Sequence, residues 1–505
     1  MSTVPDSTAS LLQRAVGLHQ QGRFDDAAAL YRQVLERDPR QVDALHLSGV
    51  MAKQRGDAGA AVALIERALA IDPRHARAHA NLGAALSALG ETGKALRSYE
   101  QAIALDPGYA LAHSNRGNAL RSLGRLDEAL ASYERALQLQ PAAVDAASGR
   151  AIALNDQGRH ADALRSAELA LARQPRHVEA WAARGNALAG MGHFTDALGC
   201  FEQAVALGGE RADLAAWRGA AHARLGRFEQ ALAGFDASLS LRPHHAGTAL
   251  RRAHALDALG RRDDAAEAFR HAGRLGADAG QVAFALAALG AAPTPAAAPA
   301  AYVTALFDQY AGHFDAHLVD TLEYRTPQLI AAALARTGAH KGKGCLGVAD
   351  LGCGTGLCAP LLRPLAAHLA GVDLSPAMLE QARARGLYDE LACAEIAAWL
   401  AGLTGALDLL DLIVAADVFV YIGDLSEVFA RARQALRDGG RFCFSVESSA
   451  AGDFQLQASR RYAHGAAYVR DLAAAHGFTV EDAVSATLRR DRGADIVGEV
   501  LVLRA

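Results

Sequence analysis

A glycine recurs every 34 residues through the first half of the chain, at Gly22, Gly56, Gly90, Gly124, Gly158, Gly192, Gly226 and Gly260. Five residues after each of them stands an alanine, from Ala27 through Ala61, Ala95, Ala129, Ala163, Ala197 and Ala231 to Ala265. Four residues after the alanine most repeats carry a bulky side chain: Tyr31, Ile65, Tyr99, Tyr133, Phe201, Phe235 and Phe269. Prolines follow the same clock at Pro39, Pro73, Pro107, Pro141, Pro175 and Pro243, with Gly209 where one is missing. Each position has a physical task. The glycine closes a first helix in the left-handed region. The alanine sits where two helices cross closely, and the aromatic lies on the same face one turn on. The proline ends the second helix and starts the turn to the next unit. A helix–turn–helix unit of this length cannot bury its apolar face alone, so successive units must stack into a solenoid.

This pattern resembles the tetratricopeptide (TPR) repeat over residues 8–279, as eight units, with Gln281–Leu289 as a short capping helix. The expected domain is thus an all-α TPR solenoid over 8–290, followed by AAPTPAAAPA at 291–300, an Ala/Pro linker in which proline favours an extended, semi-rigid spacer. The family pattern implies a concave surface lined by Asp43, His46, Arg77, Asn118, Arg121, Asp145, Glu179 and Asn186, a mixed polar groove suited to docking a protein or peptide. Asn81 and Asn115 sit at equivalent positions, too few for the asparagine ladder of some TPR proteins.

With 505 residues, more than one core is required. Apolar residues make up 51% and charged residues 21%, the balance of a globular chain. A net charge of −4 gives no general attraction to nucleic acid or to an anionic membrane. The longest apolar stretch, from Val282 to about Phe307, is mostly Ala and holds Pro293, Pro295 and Pro299, so no membrane span is expected. The polar start, MSTVPDSTAS, does not resemble a secretory leader. Six scattered Cys, with Cys353 and Cys358 five apart, fit free thiols in a reducing cytoplasm and no metal site. Basic residues that are almost all Arg, with Ala-rich sequence throughout, read as a GC-rich bacterial genome.

From Tyr302 the pattern changes to helical segments alternating with short apolar runs at Leu346–Leu351, Leu369–Val372, Leu391–Ala394, Leu409–Val414 and Arg441–Val446. Val484–Arg490 and Ile496–Leu503 follow, joined through Asp491-Arg492-Gly493 as a hairpin. Strands alternating with helices call for a parallel sheet covered on both faces. Out of the first run comes Val348-Ala-Asp-Leu-Gly-Cys-Gly-Thr-Gly356. Gly352, Gly354 and Gly356 allow a tight turn and close approach of backbone to a ligand. The dinucleotide fingerprint G-x-G-x-x-G would need a glycine where Leu357 stands, and Asp350 just before the loop suits a cationic amino-acid ligand better than a pyrophosphate. Asp373 ends the second run, 21 residues past Gly352, where a carboxylate can accept both hydroxyls of a ribose.

The loop has the DLGCGTG form of motif I of class I S-adenosylmethionine-dependent methyltransferases, and five strands followed by a hairpin match their sheet, so residues 301–505 are identified as an α/β, Rossmann-like member of that class. The resemblance implies S-adenosylmethionine as cofactor, held by Asp350, Gly352, Cys353, Gly354, Gly356, Asp373, Leu374, Met378 (packed on the adenine), Glu395 (accepting from its amino group), Ile396, Ala416 and Asp417. The segments Phe307–Leu318, Tyr324–Pro327, Tyr421-Ile-Gly, Phe444–Glu447 and Arg461–His464 resemble a group of bacterial TPR-linked methyltransferases. Tyr310 and Phe314, four apart, are expected on one helix face closing the site, with Tyr421 and Arg461 toward the acceptor. A general base is needed only if the acceptor must lose a proton; His313, Asp417, Tyr462 and His464 are the candidates. Three functions remain open: a methyltransferase whose arm recruits its substrate or a partner, a small-molecule methyltransferase with an assembly arm, and a non-catalytic cofactor-binding adaptor. The acceptor stays unidentified.

Overall fold

The computed structural model describes residues 7–311, 314–316, 318, 322–338, 344–403, 409–450, 452–491 and 493–505. The chain divides into two compact units, Met1–Leu259 and Gly260–Ala505.

The first unit is a solenoid of helices from α1 (Thr8–Gln20) and α2 (Phe24–Arg37) through to α15 (Ala246–Ala258), alternating between 13 and 14–15 residues. The clock glycines close each first helix with positive φ, +76° at Gly22 and +74° at Gly124. Ala27, Ala61, Ala95 and Ala129 are completely buried, as the close helix crossing requires. A second glycine register fits against the aromatics. A Cβ on Gly83 would lie 2.6 Å from Tyr99, one on Gly117 2.6 Å from Tyr133, and one on Gly185 2.5 Å from Phe201. The ring therefore fills the space left by a missing side chain on the partner helix. One apolar cluster runs from Ile65 to Ala187, so adjoining repeats share a continuous core.

The second unit begins with α16 (Arg262–Arg274) and α17 (Ala279–Ala288), capped by Asp278, whose carboxylate accepts from the Gln281 amide at 2.7 Å. There follow α18 (Ala300–Tyr310), the short α19 (Phe314–Ala316) and α20 (Thr326–Arg336). Then strands and helices alternate: β1 (Leu346–Leu351), α21 (Ala359–Leu362), β2 (Ala366–Asp373), α22 (Pro376–Arg385), β3 (Glu390–Cys393), α23 (Ile396–Leu403), β4 (Leu410–Ala415), α24 (Ser426–Ala435) and β5 (Leu436–Ser449). A small ribbon, β6 (Phe454–Leu456) and β7 (Tyr462–Gly465), precedes α25 (Ala466–Ala475), β8 (Thr479–Asp491) and β9 (Ala494–Arg504). The main sheet runs β3-β2-β1-β4-β5, all parallel, and β9 and β8 then add on antiparallel. This is the α/β architecture expected from the sequence.

Side chains along each strand alternate between two cores. Ala349 and Leu351 of β1 join Phe442, Phe444, Leu400 and Phe429 on one face. Val348 joins Leu369, Leu412, Ile330, Leu334 and Leu362 on the other. Both faces are thus covered by helices, as a parallel sheet demands. The ribbon β6–β7 had no counterpart in the sequence reading.

The Ala/Pro stretch is not a free spacer. The Ala298 amide donates to the Tyr421 carbonyl at 2.9 Å, and the Gly423 and Asp424 amides donate to the Ala296 carbonyl at 2.7 and 2.8 Å. Ala297 and Ile422 form an antiparallel bridge, and the Tyr462 hydroxyl donates to the Pro295 carbonyl at 2.8 Å. Phe284 and Ala287 of α17 lie in one apolar cluster with Leu456, Tyr462 and Tyr302.

Candidate active site

The parallel strands release their loops at one edge of the sheet, where open α/β sheets bind ligands. A cavity opens there. Its floor is the loop after β1, which turns through Gly352 (φ +61°), Gly354 (φ +55°) and Gly356 (φ +86°). A Cβ on Gly352 would lie 2.6 Å from Val418, so glycine is needed for the loops after β1 and β4 to approach. Asp373 ties this loop down: its two carboxylate oxygens accept from the Gly354 and Ser375 amides, each at 2.9 Å. Each oxygen keeps a second lone pair for a ligand hydroxyl. Asp350 is 1% exposed and accepts from the Tyr388 hydroxyl at 2.6 Å. Burial raises its pKa to about 7, and burial raises that of Asp373 too. Glu395 caps α23, accepting from the Ala398 amide at 2.9 Å.

The far end of the cavity is apolar and aromatic. Phe307 meets Phe314 and Tyr421 edge-on, with ring centroids 5.9 and 5.4 Å apart. Two latches hold this cover. Asp308 of α18 accepts from the Ser375 hydroxyl. Asp315 of α19 accepts from the Thr355 hydroxyl and pairs with Arg385, which also donates to the Thr355 carbonyl.

Asp417, in the loop after β4, has φ +59°, a strained position for a residue other than glycine. Its amide donates to the Ser445 hydroxyl at 2.9 Å, and its carboxylate accepts from Arg489 at 2.7 Å. Arg489 is 2% exposed and also binds Glu447. Arg461 lies farther out, 3.6 Å from Asp417 and 3.4 Å from Glu447, with its guanidinium over the Tyr421 ring at 5.8 Å. Two acids and two arginines thus make a charge-balanced cluster at this end.

Of the residues expected to hold a cofactor, Asp350, Gly352, Cys353, Gly354, Asp373, Leu374, Glu395, Ile396, Ala416 and Asp417 all line the cavity. Gly356 does not, since it backs onto Tyr388 and Arg385. Nor does Met378, which is completely buried: Ser375 caps α22 through the Met378 amide and turns that side chain into the core. Phe314, Tyr421 and Arg461 line it, but Tyr310 does not. Tyr310 and Phe314 do not share a helix, because α18 stops at Tyr310, although their rings still meet edge-on at 5.7 Å. Tyr462 and His464 are buried away from the cavity. His464 Nε2 lies 3.0 Å from both the Ile422 and Gly423 carbonyls, and burial lowers its pKa to about 4, the opposite of a base poised near neutrality. His313 lies outside the described residues. The sequence reading missed Tyr388, Arg489, the two latches and Ala297, Ala298 and Ala300, which also line the cavity.

Among the described residues lining the cavity there are four carboxylates and one cation, Arg461. The free lone pair on each Asp373 oxygen can accept from a ligand with two neighbouring hydroxyls. No cluster of metal-ligating side chains occurs among the described residues, and none of their helices is long and apolar enough to cross a membrane.

In the first unit, residues expected along the inner surface pair with their neighbours. His46 is buried, with Nε2 2.8 Å from Asn81. Asn118 accepts from the Tyr133 hydroxyl at 2.6 Å, Asp145 lies 3.2 Å from His177, and Glu179 lies 3.3 Å from Arg211.

Residues 349–442 match the family described as a methyltransferase domain. Tetratricopeptide repeat families match 12–76, 64–97, 86–120, 110–142 and 148–246. The human methyltransferase-like protein 27 is 44% identical over 86 residues, which are 17% of this chain and 34% of that protein. The chain therefore covers about a third of that relative's length. Among solved structures, a tetratricopeptide repeat protein from Parabacteroides merdae is 20% identical, covering 46% of this chain and 93% of its own, with a TM-score of 0.39. The APC/C hetero-tetramer Cut9–Hcn1 is 17% identical, covering 55% and 54%, with a TM-score of 0.44. The chain thus joins TPR repeats to a methyltransferase domain.

Proposed function

We propose that this chain is an S-adenosylmethionine-dependent methyltransferase whose repeat arm docks a protein partner. The observation that carries this reading is the convergence of Asp350, the glycine loop and Asp373 on one acidic cavity at the strand ends. When bound, the cofactor supplies a methyl group already activated on a sulfonium, so positioning is the protein's main task. Asp373 would accept from the ribose hydroxyls of the cofactor while its other lone pairs fix the loop. Asp350 would hold its amino-acid part, a cation there letting the carboxylate ionise despite burial. Glu395 and Ile396 would hold its adenine. Phe307, Phe314 and Tyr421 exclude water from the acceptor side. Asp417, held by Arg489, orients the acceptor.

Ultraviolet cross-linking of methyl-labelled S-adenosylmethionine to the full chain, with S-adenosylhomocysteine as competitor, tests this. Label is expected in peptides within 349–424 and displaced by the competitor. Label spread along the repeats, or insensitive to competitor, would refute the assignment.

A further inference from the structure

The segment Tyr421–Asp424 is gripped from two sides. On one side, His464 Nε2 sits 3.0 Å from the Ile422 and Gly423 carbonyls. On the other, the strap 295–298 bonds to Tyr421, Gly423 and Asp424 through three backbone hydrogen bonds of 2.7–2.9 Å. Tyr462 joins the two sides. Its hydroxyl holds the strap at Pro295, and its ring presses on Gly423, where a Cβ would meet Tyr462 at 2.6 Å and Phe454 at 2.7 Å. Tyr462 and His464 stand two apart on β7, so they share one strand face.

The outer side of this arrangement comes from the end of the repeat arm. Phe284 of α17 packs against Tyr462, with centroids 6.3 Å apart, and against Tyr302 of α18 at 5.2 Å. Arg460, next to Arg461, lies over Phe269 of α16 at 5.9 Å. What the grip fixes is the acceptor end of the cavity: Tyr421, Ile422, Ala297 and Ala298 are its wall, and Arg461 rests on Tyr421.

We propose that Tyr462, through the 295–298 strap, and His464, through the Ile422 and Gly423 carbonyls, are positioning residues that hold Tyr421 in place, and that the cap helix α17 backs the acceptor wall through Phe284. Helices α16 and α17 then serve methyl transfer structurally, whatever the repeats dock. Removing residues 1–300 would open the wall even for an acceptor that needs no recruitment. That consequence rests on reading the cavity as the methyl-transfer site; the positioning itself does not.

Hydrogen exchange on the full chain tests the inference, comparing wild type, Tyr462→Phe and Phe284→Ala, with S-adenosylhomocysteine affinity measured alongside. Tyr462→Phe deletes one hydrogen bond and keeps the ring. Exchange at 296–298 and 421–424 is expected to rise tenfold or more in both variants, while β4 (410–415) is unchanged and affinity stays within twofold. Unchanged exchange at 421–424 overturns the proposal. So does a rise shared by β4, which would mark Tyr462 and Phe284 as general core residues. If the wild type binds no S-adenosylhomocysteine, the methyltransferase reading fails, and the exchange result still decides the positioning.

Discussion

Asp350 should make the second unit less stable as pH rises, and replacing it should abolish that dependence. Burial moves its pKa from 3.8 to about 7. The native state therefore keeps the proton up to neutrality, whereas the unfolded chain releases it near pH 4. A group raised in this way favours the folded state below its unfolded pKa and loses that contribution as pH climbs through its folded pKa. At about 1.4 kcal/mol per pH unit, the penalty is about 2 kcal/mol at pH 5 and about 4 kcal/mol at pH 8. Asp350→Asn has no such dependence, and its amide oxygen still accepts from the Tyr388 hydroxyl. The variant should therefore gain about 2–3 kcal/mol on the wild type between pH 5 and pH 8. For a unit spanning Gly260–Ala505 that is about 4–12 °C in Tm. Melting curves of both proteins at pH 5, 6, 7 and 8, without ligand, measure it. A Tm difference that stays flat over that range would show Asp350 ionised in the folded state throughout, contrary to this expectation. The same linkage requires the wild type to release protons when it binds S-adenosylmethionine near pH 6.5, visible as a buffer-dependent heat.

Two further expectations concern packing. Arg489→Met leaves Asp417 and Glu447 buried without their close partner, at a cost of about 3–5 kcal/mol, or about 6–20 °C in the Tm of the second unit; a loss below 1 kcal/mol would mean that Arg461 or water takes over. Gly117→Ala puts a Cβ 2.6 Å from Tyr133 and should cost about 1–3 kcal/mol in urea unfolding, most of it recovered in the double variant with Tyr133→Leu.

Much of the fold was legible because its rules are local. The 34-residue clock specifies helix ends and crossings from neighbouring side chains alone. The second glycine register obeys the same period at Gly49, Gly83, Gly117, Gly185 and Gly219, but Ala151 and Ala253 interrupt it, and its purpose shows only opposite the aromatic rings. The strands and the cofactor loop were readable from apolar runs ending in Gly and Asp. Arg489 was not, because its partner Asp417 lies 72 residues away and only the antiparallel return of β8 brings them together. The strap was hidden for a different reason. Its hydrogen bonds come from backbone atoms, which every sequence has, while its Ala/Pro side chains spell a spacer. Tyr462 and His464 read in the sequence as titratable groups. Strand alternation turns them away from the cavity, while Arg461, beside them in sequence, faces it.

The proposed function requires this cavity to bind S-adenosylmethionine through Asp373. Calorimetric titration of S-adenosylhomocysteine into the full chain, beside Asp373→Asn, tests it most directly. Micromolar binding by the wild type is expected, weakened about 10- to 100-fold in the variant, as loss of a charge-assisted hydrogen bond worth about 1.5–3 kcal/mol requires. No binding by the wild type, or equal binding by both proteins, would contradict it.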